Sequence, residues 1–257
     1  MSLIMTKNET EIKELLDASD NILFDLDGTL LPIDMDRFLE KYFLALQNHF
    51  YGQVEEDKFI DCLLKATGSM IKNNGQATNK EVFKDNFFKM LPELNEDEAL
   101  KCFDEFYDQK FPGLGDNINK DPQTVRVIEK LRSSNKSLIL ATNPVFPVEA
   151  VEARLDWIGL SADHFDFITN YSNMHYCKPN PEYYAEILEK MEIKPENSLM
   201  VGNDEREDMI AAELGINTIL LTDNLKESDQ GYNPDWQGSR DEFYRQVRNW
   251  SRDAQKV

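Results

Sequence analysis

The sequence predicts an α/β fold, a doubly wound parallel sheet with an all-helical segment inserted into it. Three observations predict it. Short apolar segments of strand length recur at 21–26, 137–141, 165–168, 198–201 and 217–221. Between the later ones, at 147–158, 181–191 and 206–214, apolar residues fall three and four apart, the period of a helix with one buried face. Strand and helix thus alternate, and that order builds a parallel sheet covered on both faces through right-handed crossovers. Third, the alternation stops between residues 34 and 111, where no strand pattern occurs.

Taken in order, the first strand is the apolar run within ILFDLDGTLL, residues 22–31. After it, Phe38, Tyr42 and Leu46, then Phe59 and Leu63, then Val82, Phe83 and Phe87, then Leu100, Phe103, Phe106 and Tyr107 mark three or four amphipathic helices. The chain therefore divides into a core of residues 1–33 and 112–257 and a helical cap of residues 34–111. LPI after Leu30 and PGLGDNINKD at 112–121 are the expected hinges, close enough together for the core to fold without the insert. GLG at 113–115 is too short for a phosphate loop and belongs to the second hinge. Gly159 and Gly215 stand where helix stops are expected. The tail from Lys226 onward is polar, with a helix expected at 240–250 and no site residue assigned to it. The opening MSLIM stretch is set aside.

Acidic residues outnumber basic ones by 48 to 28, for a formal charge of −20, which disfavours nucleic-acid backbone and anionic membrane alike as partners. An anionic substrate then needs a local positive site. The three cysteines, Cys62, Cys102 and Cys177, are odd in number and far apart, which suggests neither a disulfide framework nor a zinc site and fits a reducing cytoplasm. His49, His164 and His175 show no metal-ligand spacing. No apolar run approaches the roughly 20 residues that span a bilayer.

Residues two apart on a strand project to one face, so Asp25 and Asp27 can converge as the chain leaves the carboxyl end of the first strand, where open α/β sheets bind ligands. Gly28 removes a side chain where a ligand approaches the backbone, and Thr29 can fix the turn. Desolvating both carboxylates costs several kcal/mol per ion, so a positive partner is required. A plain strand-to-helix turn is the alternative use of Asp27 and Gly28.

ILFDLDGTLL resembles the signature of the haloacid dehalogenase-like (HAD) hydrolases, and three later segments are similar to that superfamily's motifs in their order. Strand LILAT ends in Thr142, followed by Asn143; Lys178 stands in CKPNPEYY; and VGNDEREDMIAAELG, residues 201–215, resembles the acidic fourth motif. The likeness spans about residues 21–222, and an insert between the first two motifs matches the C1-capped group. It implies a Rossmann-like core and a Mg²⁺-dependent phosphatase acting on a small phosphorylated metabolite. Asp25 would be the nucleophile, Asp27 the acid/base, and Thr142 and Lys178 would hold the transferring phosphoryl oxygens, with Gly28, Thr29 and Asn143 around the substrate. Asp25, the Asp27 carbonyl, Asp208 and either Asn203 or Asp204 would hold Mg²⁺. Many relatives carry aspartate where this chain has Asn203; an amide brings no charge, so Asp204 is the expected ligand, N-capping being its structural alternative.

Asp27 speaks against a dehalogenase, since a halide leaving group needs no proton. A phosphomutase shares both aspartates and is the closest enzymatic alternative; a non-catalytic phospholigand-binding protein is the alternative of a different class. For substrate selection, Arg37, Lys65, Lys72, Asn73 and Asn74 are polar candidates on the insert, and His175 and Tyr176 candidates at the entrance.

Overall fold

A computed structural model describes residues 7–229 and 232–251. The MSLIM stretch lies outside them. Six parallel strands form one sheet: β1 (Asn21–Phe24), β2 (Ser137–Leu140), β3 (Phe167–Ile168), β4 (Ser198–Gly202), β5 (Asn217–Leu221) and β6 (Trp236–Gly238). Their spatial order is β3-β2-β1-β4-β5-β6. The chain runs outward from β1 through β2 to β3, then returns to pair β4 on the other side of β1. The crevice beyond the carboxyl ends of β1 and β4 is therefore the switch point at which doubly wound sheets bind ligands.

Strand alternation sends side chains to two different cores. Ile22, Phe24, Leu138, Leu140, Leu199 and Val201 belong to one buried cluster, while Leu23, Ile139 and Met200 belong to the other. The second is closed by α8 (Pro181–Lys190) and a 3-10 helix, Met209–Leu214. The first takes in α1 (Lys7–Ala18), α6 (Pro122–Ser133), α7 (Val148–Ile158) and α9 (Arg240–Asn249).

Between β1 and α6 the chain forms α2 (Met35–His49), α3 (Glu56–Ile71), α4 (Asn79–Met90) and α5 (Glu96–Gln109), with no strand among them. Local chemistry marks their starts. Asp34 accepts from the Arg37 amide, Thr78 and Glu81 form a reciprocal capping box, and Asn95 accepts from the Glu98 amide. The apolar faces of these helices join the first core cluster without a break. Phe111, fully buried, is the joint. It stacks on Trp157 at 5.6 Å and meets Phe38, Tyr42, Phe106, Tyr107 and Phe146 at 5.5–6.3 Å between ring centres. The insert is also stitched to the core by polar bonds: the amides of Asn79 and Lys80 donate to the carbonyls of Met174 and Tyr171.

The structure corrects several expected elements. The 206–214 segment is not an α-helix; only Met209–Leu214 is helical, as a 3-10 turn. The amides at and just before its start are taken by carboxylates: Asp204 accepts from Arg206 and Glu207, and Asp208 from Asn203 and Asp204. The strand expected at 165–168 begins only at Phe167, because the Asp166 side chain itself accepts from the Leu138 amide. Helices α1 and α6 were not expected, and the tail contributes the edge strand β6. Gly159 and Gly215 do stop their helices, both in the left-handed conformation.

Phe111→Ala removes the ring on which insert and core both pack. It should cost about 3–5 kcal/mol in urea denaturation, with insert and core unfolding in one transition. Two separate transitions in the unsubstituted protein would show instead that the two parts are independent units.

Candidate active site

The site grows from the ends of β1 and β4. The sheet ladder continues one residue past β1, with the Asp25 amide donating to the Val201 carbonyl at 3.0 Å, so the first carboxylate is placed by backbone pairing. The chain then turns tightly. The amides of Thr29 and Leu31 both donate to the Leu26 carbonyl, and Gly28 adopts φ +90°. A β-carbon at Gly28 would collide with the Asn203 amide, so glycine is required twice over. Gly202 has a comparable role at the end of β4, where a β-carbon would strike the Asp208 carboxylate.

A closed set of hydrogen bonds ties these loops together. Thr29 Oγ1 donates to Asn203 Oδ1 at 3.0 Å, Asn203 Nδ2 to the Asn224 carbonyl at 2.6 Å, and Asn224 Nδ2 to the Gly28 carbonyl at 3.2 Å. Lys178, brought in just before α8, lies under the site with 1% of its side chain exposed. Its Nζ donates to Asp25 Oδ1 at 2.9 Å and to Asp208 Oδ1 at 2.6 Å. The other Asp208 oxygen accepts the amides of Asn203 and Asp204, each at 3.0 Å.

Asp25, Asp27, Thr142, Asn143, Asn203, Asp204 and Asp208 share the wall of one cavity of about 270 Å³. Thr142 is positioned through its carbonyl, which accepts from Thr169 Oγ1 at 2.7 Å and from the Tyr183 hydroxyl at 2.9 Å. Asn143 donates to Glu207 at 3.3 Å. Gly28 and Thr29 are not on this wall, contrary to expectation. Thr29 is fully buried and its hydroxyl is spent on Asn203, so the pair brace the loop from behind. The polar insert residues also stand apart: Lys65 pairs with Asp61, and Asn73 is buried against Asn79. His175 binds Glu186 instead of lining the cavity. Cys177 is a buried packing residue whose thiol is pushed up to about 12, chiefly by burial.

Three charged residues on the wall were not anticipated: Arg154, Glu207 and Lys226. Arg154 had a sequence signal, because it falls on the buried face of α7 with Ala150, Val151, Leu155 and Ile158, where a charge is out of place without a partner. Its partner is Asp27, paired Nη1 to Oδ2. Lys226 had none; it is brought in by backbone bonds to Asn203 and Glu205.

The two aspartates of the first motif thus meet different environments. Asp25 sits on a buried ammonium; Asp27 sits on a buried guanidinium and its carboxyl is pushed up by burial, with Arg154 opposing and Asp25 adding to the rise. Burial also raises Asp208, to about 7, against Lys178 and with help from Asp25. Lys178 itself, which burial alone would lower, is held well above the usual lysine range by Asp208 and Asp25. Glu207 is raised by burial, with Lys178 opposing and Asp204 and Asp25 adding.

Against these acids the wall offers only Arg154 and Lys226, with Lys178 behind it. All-oxygen donors and surplus negative charge on the wall suit a hard divalent cation. Among the described residues no three His, Cys, Asp or Glu side chains are gathered as a ready cage.

Residues 22–221 match the family profile of the haloacid dehalogenase-like hydrolases. The chain belongs to that family. Proteins with which it shares sequence include pyrophosphatase PpaX of Bacillus mycoides strain KBAB4, 23% identical over 84% of this chain and 90% of that protein. The phosphoglycolate phosphatase of Vibrio vulnificus strain CMCP6 is 30% identical over 75% of this chain and 78% of its own length. Among solved structures, 2-haloacid dehalogenase from Pseudomonas syringae pv. Tomato DC3000 shares the HAD fold, with a TM-score of 0.63 and 20% identity, over 91% of this chain and all of that one. No helix among the described residues is long and apolar enough to cross a membrane.

A carboxyl raised by folding binds protons that the unfolded chain has lost, so its contribution to stability is full below the ordinary carboxylate range and disappears as pH rises through about 7 for Asp208. In metal-free protein, Asp208→Asn keeps the shape and removes that titration. The loss of thermal stability between pH 5.5 and 8 should be smaller in the variant; equal pH dependence in both proteins would contradict the burial argument.

Proposed function

We propose that this hydrolase is a Mg²⁺-dependent phosphatase of small phosphomonoesters that works through an aspartyl phosphate on Asp25. The observation that carries the reading is the pair of carboxylates two residues apart on one cavity, one on the Lys178 ammonium and the other raised toward its protonated form. Asp25 attacks phosphorus and the leaving oxygen departs with a proton from Asp27, which afterwards takes a proton from the water that cleaves the acyl phosphate. Lys178 and the Thr142 hydroxyl stabilise the phosphoryl oxygens as charge moves across them. Bound Mg²⁺ would supply charge neutralisation and in-line orientation of the phosphoryl group.

The residues assigned to hold the metal are Asp25, the Asp27 carbonyl, Asp208 and Asp204. Asn203 spends both side-chain polar atoms on Thr29 and Asn224, whereas Asp204 Oδ2 has only half-exposed Lys226 at 4.0 Å, its Oδ1 capping the turn. The names of the phosphatase relatives support this reading. Likeness to a dehalogenase does not compete with it, because a halide leaving group has no use for Asp27. Residues 34–111 supply an apolar roof through Met35, Leu39, Phe43, Leu63 and Leu64, which would keep bulk water from the acyl phosphate.

Phosphate release from a panel of phosphorylated sugars, nucleotides and small acids tests the proposal. Asp25→Asn should lower turnover by at least about 1000-fold; a loss within about tenfold, some 1.4 kcal/mol of barrier, would remove Asp25 as nucleophile. Full activity after exhaustive chelation would remove the metal. Asp204→Ala should raise the Mg²⁺ concentration for half activity more than Asn203→Ala does. The reverse ranking would leave Asp204 as a cap only.

A further inference from the structure

The cavity that holds the carboxylates has two unlike halves. Every charged side chain on its wall comes from the core, whereas the insert contributes only apolar residues, Tyr42 and Thr67. The Thr67 hydroxyl is spent on the Leu63 carbonyl of its own helix, at 2.9 Å. The Tyr42 hydroxyl lies 2.8 Å from that of Tyr107. Burial pushes both tyrosines up, Tyr42 to about 12, so both keep their protons at neutral pH. Only one of the two protons can lie between the oxygens, and the other is left to donate elsewhere. A leaving group with several hydroxyls or a charge would therefore face this roof stripped of water, with little to replace it.

The apolar surface does not end there. A second cavity, of about 190 Å³, lies between insert and core, and Tyr42, Leu63, Thr67 and Val145 line both, so the two adjoin. Phe83, Leu100, Phe103 and Tyr107 extend its wall. Its cations are committed, Lys80 to the face of Tyr171 at 5.5 Å and Lys84 to Glu96 at 2.8 Å, and Asp104 stands on its solvent side. Packed interiors leave few voids of this size, and apolar walls with one or two polar atoms are the make-up of a ligand site. The phosphoryl chemistry makes no use of this space. We propose that the second cavity receives the body of the leaving group, and that the substrates are monophosphates of alcohols with an extended apolar body. This rests on the phosphatase reading and names its substrate class. The remaining hydroxyl proton of the tyrosine pair serves one oxygen on that body and no more. The grip on the rest grows with the apolar area removed from water, hence with chain length.

The test compares full-length wild type and Leu100→Trp, with Mg²⁺, on ethyl, n-butyl, n-hexyl and n-octyl phosphate and on three polar probes, glucose 6-phosphate, 2-phosphoglycolate and inorganic pyrophosphate. Leu100 is half-buried on α5 and lines the second cavity but not the first, so a larger side chain there fills that space away from the carboxylates. In wild type kcat/KM should rise about fourfold per methylene along the alkyl series, with hexyl phosphate at least about 100-fold above each polar probe. Leu100→Trp should use ethyl phosphate within about twofold of wild type and lose about tenfold or more on octyl phosphate. Leu100→Phe makes the same comparison, with a smaller loss, if the tryptophan variant does not fold. A flat alkyl series, or preference for any polar probe, would overturn the apolar leaving group. A rise with chain length that both variants leave intact would overturn the role of the second cavity. Ethyl phosphate turnover alongside either result sinks this inference alone. No turnover of any probe sinks the phosphatase reading and this inference together.

Discussion

Lys178 holds the site together, and the surrounding structure is what that one buried ammonium requires. It bridges Asp25 at the end of β1 and Asp208 beyond the end of β4, two strands that pair directly in the sheet. Without the lysine, two acids would face each other in a buried place, at a cost of several kcal/mol. Without the acids, a lysine with 1% of its side chain exposed would be the uncompensated charge. The remaining Asp208 oxygen is satisfied by two backbone amides, which is why the chain after β4 runs in turns where a regular helix was expected. The same constraint that gathers the charges thus shapes the loop that presents them.

A second buried pair, Arg154 with Asp27, stands across the cavity and divides the labour of the two first-motif aspartates. One carboxylate is held by a point charge that also holds a second acid. The other is held by a planar fork with an arm to spare. Identical side chains two residues apart are thereby given unlike chemistry by their neighbours alone, which is the condition for one to act on phosphorus and the other on protons.

The apolar roof is continuous with the hydrophobic core through Phe111, Trp157 and Phe146. Phe146 in turn carries the Arg154 guanidinium on its face. Packing between insert and core and the position of a charged site residue are therefore linked through one aromatic ring. The expectation of a lid on two hinges, separable from its core, takes no account of that continuity; a lid that moved would have to part these rings.

Much of this protein was legible in the chain. Periodicity distinguished strands from helices, because buried strands and one-sided helices leave patterns of apolar spacing that no tertiary knowledge is needed to see. The short acidic and basic motifs marked Asp25, Asp27, Thr142, Asn143, Lys178, Asp204 and Asp208, and the structure brings these residues to one end of one sheet. What the chain could not disclose is which side chains would be spent on one another. Thr29 and Asn203 look free in the sequence but are used up in bracing a turn, and the partner that Arg154 calls for on the buried face of its helix, Asp27, arrives from 127 positions away. Lys226 reaches the site only because strand pairing carries the tail past β4. Residue types and spacings are local and fix chemistry and periodicity. Charge partners, burial and the shape of the cavity depend on contacts between distant segments, and those exist only once the sheet has formed.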